Sequence, residues 1–183
     1  MPAVRLYQRV SPEEYLEGEV HSQIKHEYID GDLRAMAGAS DNHELVAMNI
    51  AAALLNHLRG KGCRVYKSDM KVRLNYFEAD VFFYPDVMVT CDPTDNHALY
   101  KERPKLVIEV LSKDENRDLI EKHAAYQGIE TVEEYAAIKP DLENPELYLF
   151  RRANGWRRET FSSGEFTLAS VGLTMALAEL TTV

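Results

Sequence analysis

Residues 81–90 read VFFYPDVMVT and residues 106–111 read LVIEVL. Both runs are apolar nearly throughout and lack the alternation of a strand with one wet face, so both are expected to be strands covered on two faces. Each carries one carboxylate, Asp86 in the first and Glu109 in the second. An ionised group inside a core strand is costly unless it is paired, hydrogen-bonded or bound to a metal. Strand parity puts Asp86 on one face with Met88, and Glu109 on one face with Val107 and Leu111. If the strands are neighbours, the two carboxylates converge on one point. Two hard oxygen ligands facing one cavity suit Mg²⁺ or Mn²⁺, which keeps several waters and activates one of them for hydrolysis. On spacing alone, a structural ion pair with a buried Arg or Lys weighs about as much. Pro85 argues against that alternative, because a proline in a central run implies a bulge or bend, features that gather beside active sites.

Outward from these strands, Asp114 to Gln127, closed by Gly128, reads as a helix, and Tyr135 to Ile138 as a strand at crossover distance. Leu147-Tyr148-Leu149-Phe150 and the residues from Trp156 onward form a hairpin turning at Asn154-Gly155. Upstream, Met70, Val72 and Leu74 alternate with Lys71, Arg73 and Asn75 in a half-exposed strand. Asp41 and Glu44 resemble a capping box, after which Leu45, Val46, Asn49, Ile50, Ala53, Leu54 and Leu58 recur at helical spacing until Gly60. Asp30-Gly31 is the turn of a hairpin over roughly His26 to Met36, and Ser11-Pro12-Glu13-Glu14 starts a short helix running towards Glu17. The order predicts an α/β or α+β fold, a mixed β-sheet flanked by helices with an N-terminal and a C-terminal hairpin.

With 183 residues, 45% hydrophobic and 28% charged, the chain is expected to be one domain over residues 1–183 rather than a disordered segment. No repeat or long Gly/Ser/Pro linker divides it. No run approaches the roughly 20 apolar residues of a membrane span, and the amino terminus lacks a secretory h-region, so no membrane association and a cytoplasmic location are expected. Cys63 and Cys91 stand far apart without CxxC spacing, which suggests neither a disulfide framework nor a zinc cage and fits a reducing compartment. A net charge of −9 argues against a broad phosphate-coating surface but leaves room for a local basic cleft. HExxH would need histidine where Asp30 and Ala47 stand, and no Walker A, GxGxxG or GxSxG run occurs, which removes support for zinc protease, nucleotide-cofactor and serine-hydrolase readings.

Pro85-Asp86, then Glu109-Val110-Leu111-Ser112, then Glu121-Lys122 with Tyr126, and Glu133-Glu134-Tyr135 together resemble the Uma-type family of restriction endonucleases, which has the PD-(D/E)XK nuclease fold. The stretch Ile24 to Asp32 and the segment Ser40 to His43 share in the likeness, which spans roughly Ser11 to Phe150. The resemblance implies that Asp86 and Glu109 hold one or two divalent metals, Mg²⁺ or Mn²⁺. It also implies a lysine two residues beyond the acidic strand residue, where this chain has Leu111. Lys122, on the following helix, is the expected substitute that orients or activates water; Lys113, in the loop after the strand, is a weaker one. The plain alternative for Lys122 is a solvated i, i+4 pair with Asp118. Glu27 is expected either to reach the metal site as a further carboxylate or to be solvated at a strand edge. His43 is read first as a polar residue near an N-cap, and otherwise as a contact for phosphate or water.

Two functions follow. One is a Mg²⁺-dependent endonuclease hydrolysing DNA, with Asp86 and Glu109 as ligands, Lys122 orienting the nucleophile and a homodimer cutting both strands. The other is a non-catalytic module that keeps the nuclease fold for binding or assembly. On the first, Lys122→Ala is expected to leave folding nearly unchanged while slowing cleavage on the order of 10²-fold.

Overall fold

The computed structural model describes residues 9–112 and 115–182; the amino-terminal octapeptide, Lys113 and the expected helix start at Asp114 lie outside the described residues. Helix α1 (Pro12–His21) begins at the N-cap Ser11, which closes a reciprocal capping box with Glu14. Strands β1 (His26–Ile29) and β2 (Asp32–Ala35) pair antiparallel around Asp30 and Gly31. Both turn residues have positive φ, 48° and 93°, the conformation a type I′ turn requires. Helix α2 (Asp41–Leu58) starts as the sequence suggests, but its cap is Ser40, whose hydroxyl accepts from the His43 amide, and not a box from Asp41 to Glu44.

Six strands follow: β3 (Arg64–Lys67), β4 (Lys71–Tyr76), β5 (Ala79–Phe83), β6 (Val87–Thr90), β7 (Tyr100–Lys101) and β8 (Leu106–Val110). The run 81–90 is thus two strands, and they belong to different sheets. Pro85 has no N–H to give a ladder and its φ is locked, so pairing stops there and the chain crosses from one sheet to the next. A π-helical segment (Arg117–Lys122) runs into the short helix α3 (His123–Gln127). Strands β9 (Glu134–Lys139), β10 (Glu146–Arg151) and β11 (Glu159–Phe161) come next, then the hairpin β12 (Glu165–Leu168) and β13 (Leu173–Ala176). Trp156 precedes the returning strand, which begins only at Glu159.

The architecture is mixed α+β with mixed sheets and flanking helices. The first sheet has the order β2-β1-β5-β4-β7 and the second β11-β10-β9-β8-β6-β3. β8 and β9 are parallel, as the helical crossover between them demands. One face of the second sheet, through Val87, Val89, Leu106, Ile108 and Val110, packs on Val46, Ile50 and Leu54 of α2 and on the β12–β13 hairpin. Its other face, through Met88, Val107 and Tyr135, meets Val72, Val81 and Phe83 of the first sheet together with Tyr126. The outer face of the first sheet is covered by Tyr15 of α1, which packs on Tyr28 and Phe82. The layers therefore run helix, sheet, sheet, helix. The candidate chemistry lies where the two sheets meet.

Contrary to the expectation from spacing, Cys63 and Cys91 form a disulfide. Register explains it: Arg64 of β3 faces Thr90 of β6 in an antiparallel ladder, so the next pair outward is 63 and 91. Sequence separation says nothing about cross-strand neighbours.

Candidate active site

Asp86 precedes β6 and Glu109 is the penultimate residue of β8. Because Val87 faces Ile108 in this antiparallel pair, the ladder extended by one step sets Asp86 opposite Glu109. The parity expected for Glu109 holds, since Met88, Val107 and Leu111 all enter the core between the sheets. Asp86 lies in the crossing segment, and its carboxylate replaces the missing strand: Oδ2 accepts from the Val110 amide at 2.7 Å. The Asp86 carbonyl accepts from Ser68 N.

Glu109 is 2% exposed. Its Oε1 accepts from Lys122 Nζ at 3.1 Å and from the Tyr126 hydroxyl at 3.4 Å. Lys122 is itself 5% exposed, so it is not the solvated partner of Asp118, although that i, i+4 pair exists at 3.4 Å. Its ammonium also lies 3.2 Å from Glu27 Oε1. Glu27 is buried too, with its other oxygen paired to Arg117. The structure thus brings Glu109, Lys122 and Glu27 into contact, with Asp86 beside them; Asp118 and Tyr126, one helical turn either side of Lys122, join them, and Arg117 is an addition that the sequence did not suggest. The π-helical register carries Arg117, Asp118 and Lys122 on one side of the segment, a geometry that recurs at functional sites. Tyr135 fixes this segment by donating to the Asp118 carbonyl at 2.8 Å.

Three carboxylates, Glu27, Glu109 and Asp118, surround the Lys122 ammonium, Arg117 pairs with Glu27, and the charge of Asp86 is felt at Glu109 and Asp118. Burial pushes the Glu109 carboxyl well above its ordinary range; Lys122 opposes this, and the charges of Asp86, Asp118 and Glu27 add to it. Burial likewise raises Asp118, against Lys122. Burial disfavours the Lys122 ammonium, but Glu109, Glu27 and Asp118 outweigh it and hold its pKa above the ordinary lysine value. His43 shows the same contest: burial lowers its pKa, and the hydrogen bond and charge of Asp86, 3.2 Å away, raise it on balance. His43 is therefore tied to Asp86 and not simply a polar residue of the first helical turn.

Among the described residues, no three His, Cys, Asp or Glu side chains are placed as a metal cage. Mg²⁺ does not require one, since it is commonly held by one or two carboxylates and otherwise by water. Asp86 and Glu109, one step beyond a paired position on neighbouring strands and among an excess of carboxylates, fit that demand. Glu134, which the resemblance also singled out, has another task. It is fully hydrogen-bonded to Arg151 and to the amides of Ala169 and Ser170, clamping the C-terminal hairpin to β9.

Comparison with known proteins gives the family and the fold. A family model described as "Putative restriction endonuclease" (Uma2) matches residues 12–181, extending the sequence likeness through the C-terminal hairpin. The chain is 33% identical to the uncharacterized protein slr1290 of Synechocystis sp., over 93% of this chain and 90% of that one. It is 35% identical to a second uncharacterized protein of that organism, sll1609, over 68% of this chain and 72% of the relative. A crystal structure titled a putative nuclease belonging to DUF820, from Anabaena variabilis, superposes with a TM-score of 0.69 at 15% identity, covering 91% of this chain and 96% of the other. That likeness is one of fold.

Proposed function

We propose, starting from the fact that the chain belongs to the Uma2 restriction endonuclease family, that it is a Mg²⁺- or Mn²⁺-dependent endonuclease hydrolysing DNA phosphodiester bonds. The observation that carries the proposal is the facing of Asp86 and Glu109 at the ends of neighbouring strands, with the Lys122 ammonium 3.1 Å from Glu109. Asp86 and Glu109 would hold the cation. When bound, the cation supplies a Lewis acid that polarises the phosphodiester and acidifies water. Lys122 stands in for the lysine absent at Leu111: its ammonium, delivered from the helix, orients water and offsets charge developing on phosphorus oxygens. Glu27 and Asp118 hold that ammonium, and Arg117 holds Glu27.

Substrate would enter over a mouth edged by basic side chains. Lys25 reaches the carbonyl of Ser68 beside Asp86, and Arg34 faces Glu27 across the hairpin. Both are engaged in exposed ion pairs, with Asp69 and Glu121, which a phosphate can displace cheaply. Such an entrance would be a local basic cleft on an acidic protein. A homodimer would present two such sites to a duplex.

The test is cleavage of supercoiled plasmid with Mg²⁺ or Mn²⁺, against EDTA controls. Nicking or linearisation that disappears in Asp86→Ala and Glu109→Ala is expected; a parent chain inert with either cation overturns catalysis. The alternative of a non-catalytic module draws on one observation, that Glu109 Oε1 is already taken by Lys122 and Tyr126. Thermal denaturation separates the two: Mn²⁺ at 100 times its Kd should stabilise the folded chain by about 2.7 kcal/mol, whereas a module without a cation site gains nothing.

A further inference from the structure

We infer that His43 is a positioning residue that sets the rotation of the Asp86 carboxylate so that Oδ1 faces the cation. The inference rests on the metal-nuclease reading and deepens it. His43 is in the first turn of α2, whose start is fixed by the Ser40 cap and whose axis is held on the second sheet by Val46, Ile50 and Leu54. That packing delivers the imidazole to the sheet seam. Nε2 comes within 3.2 Å of Asp86 Oδ2, the oxygen that also accepts from Val110 N at 2.7 Å. Only 14% of the His43 side chain is exposed, and its Nδ1 is buried without a hydrogen-bond partner.

These facts assign a direction. A carboxylate only accepts, so the proton of the His43–Asp86 contact belongs to Nε2, and the unpartnered Nδ1 is then the nitrogen that can go without a donor hydrogen. Asp86 lies in the crossing segment after Pro85, outside any ladder, so no strand pairing holds its side chain. Two donors converging on one oxygen from two elements, α2 and β8, replace that constraint. They leave Oδ1 as the ligand atom and keep Oδ2 from competing for the cation. Hydrogen-bond partners of ligating carboxylates are a general means of fixing a metal site, and their loss costs about 10- to 100-fold in metal affinity or activity.

The experiment is a Mn²⁺ titration of the full chain, read from the electron paramagnetic resonance signal of free Mn²⁺, with the thermal shift as a second readout. His43→Ala should weaken Mn²⁺ binding about 10- to 100-fold. His43→Gln, whose amide can donate to the same oxygen, should recover most of the loss. Should His43→Ala not fold, His43→Leu keeps the packing volume without the donor and carries the same comparison. An Ala or Leu variant that binds Mn²⁺ like the parent overturns the assignment and leaves the metal reading intact. A Gln variant no better than Ala overturns the hydrogen bond as the cause. A parent chain that takes up no Mn²⁺ overturns both.

Discussion

Removing the Lys122 ammonium would leave Glu27, Glu109 and Asp118 facing one another where water hardly reaches. Breaking a buried ion network by deleting one partner costs about 3–5 kcal/mol. The expectation that Lys122→Ala folds almost normally is thereby corrected: urea denaturation should show a loss of that size. Its effect on cleavage is best measured well below the new melting temperature. Glu109→Gln should act in the opposite sense. It removes one charge from a crowded, desolvated set, so the EDTA-treated variant should melt above the parent, and Mn²⁺ should no longer raise its melting temperature. A variant that melts lower and still responds to Mn²⁺ would show that Glu109 is a structural partner of Lys122 and not a ligand.

Among the elements, α3 is held by an aromatic stack. The His123 ring lies 5.1 Å from Tyr135 and 4.0 Å from Phe150 between centroids, and burial lowers its pKa to about 4. The native state therefore binds fewer protons than the unfolded chain below the ordinary histidine value of 6.5. Stability is complete above that value, falls as pH drops towards 4, and levels off below. His123→Phe should flatten this part of the pH–stability curve by on the order of 2 kcal/mol, a full shift being discounted for solvent near the ring. At the edge of the second sheet, the Cys63–Cys91 bridge closes a loop of 28 residues, so reducing it should lower stability by about 3–4 kcal/mol in the chain-entropy account; equal melting with and without dithiothreitol would refute this. Elements whose signals are local were legible in the sequence: Asp30-Gly31 marks its turn by left-handed geometry, and Asp86 and Glu109 betray themselves as charges among apolar neighbours. The split at Pro85 into strands of separate sheets, the cysteine pairing and the His43–Asp86 contact were not legible. Each depends on which strand or helix lies beside which, a non-local fact that periodicity does not encode.

For the molecule as a whole, the net charge of −9 means that, on the proposed function, nucleic acid would have to be met by a few cations such as Lys25 and Arg34. Lys25→Ala and Arg34→Ala should each weaken DNA binding across all sequences and reduce the slope of log K against log salt by about 1. Unfolding energies should change little, since both residues are in exposed pairs. Unchanged slopes would place the substrate elsewhere. A dimer in light scattering at high concentration is expected from the two-site argument, and a monomer throughout would count against it. The cluster draws on β1, α2, the sheet crossing, β8 and the π-helical segment, so no single element of the fold contains it. Two complementary fragments cut in the loop between β7 and β8 would be separately inert and regain the cluster only on reassociating, which makes the proposed hydrolytic power a property of the completed fold.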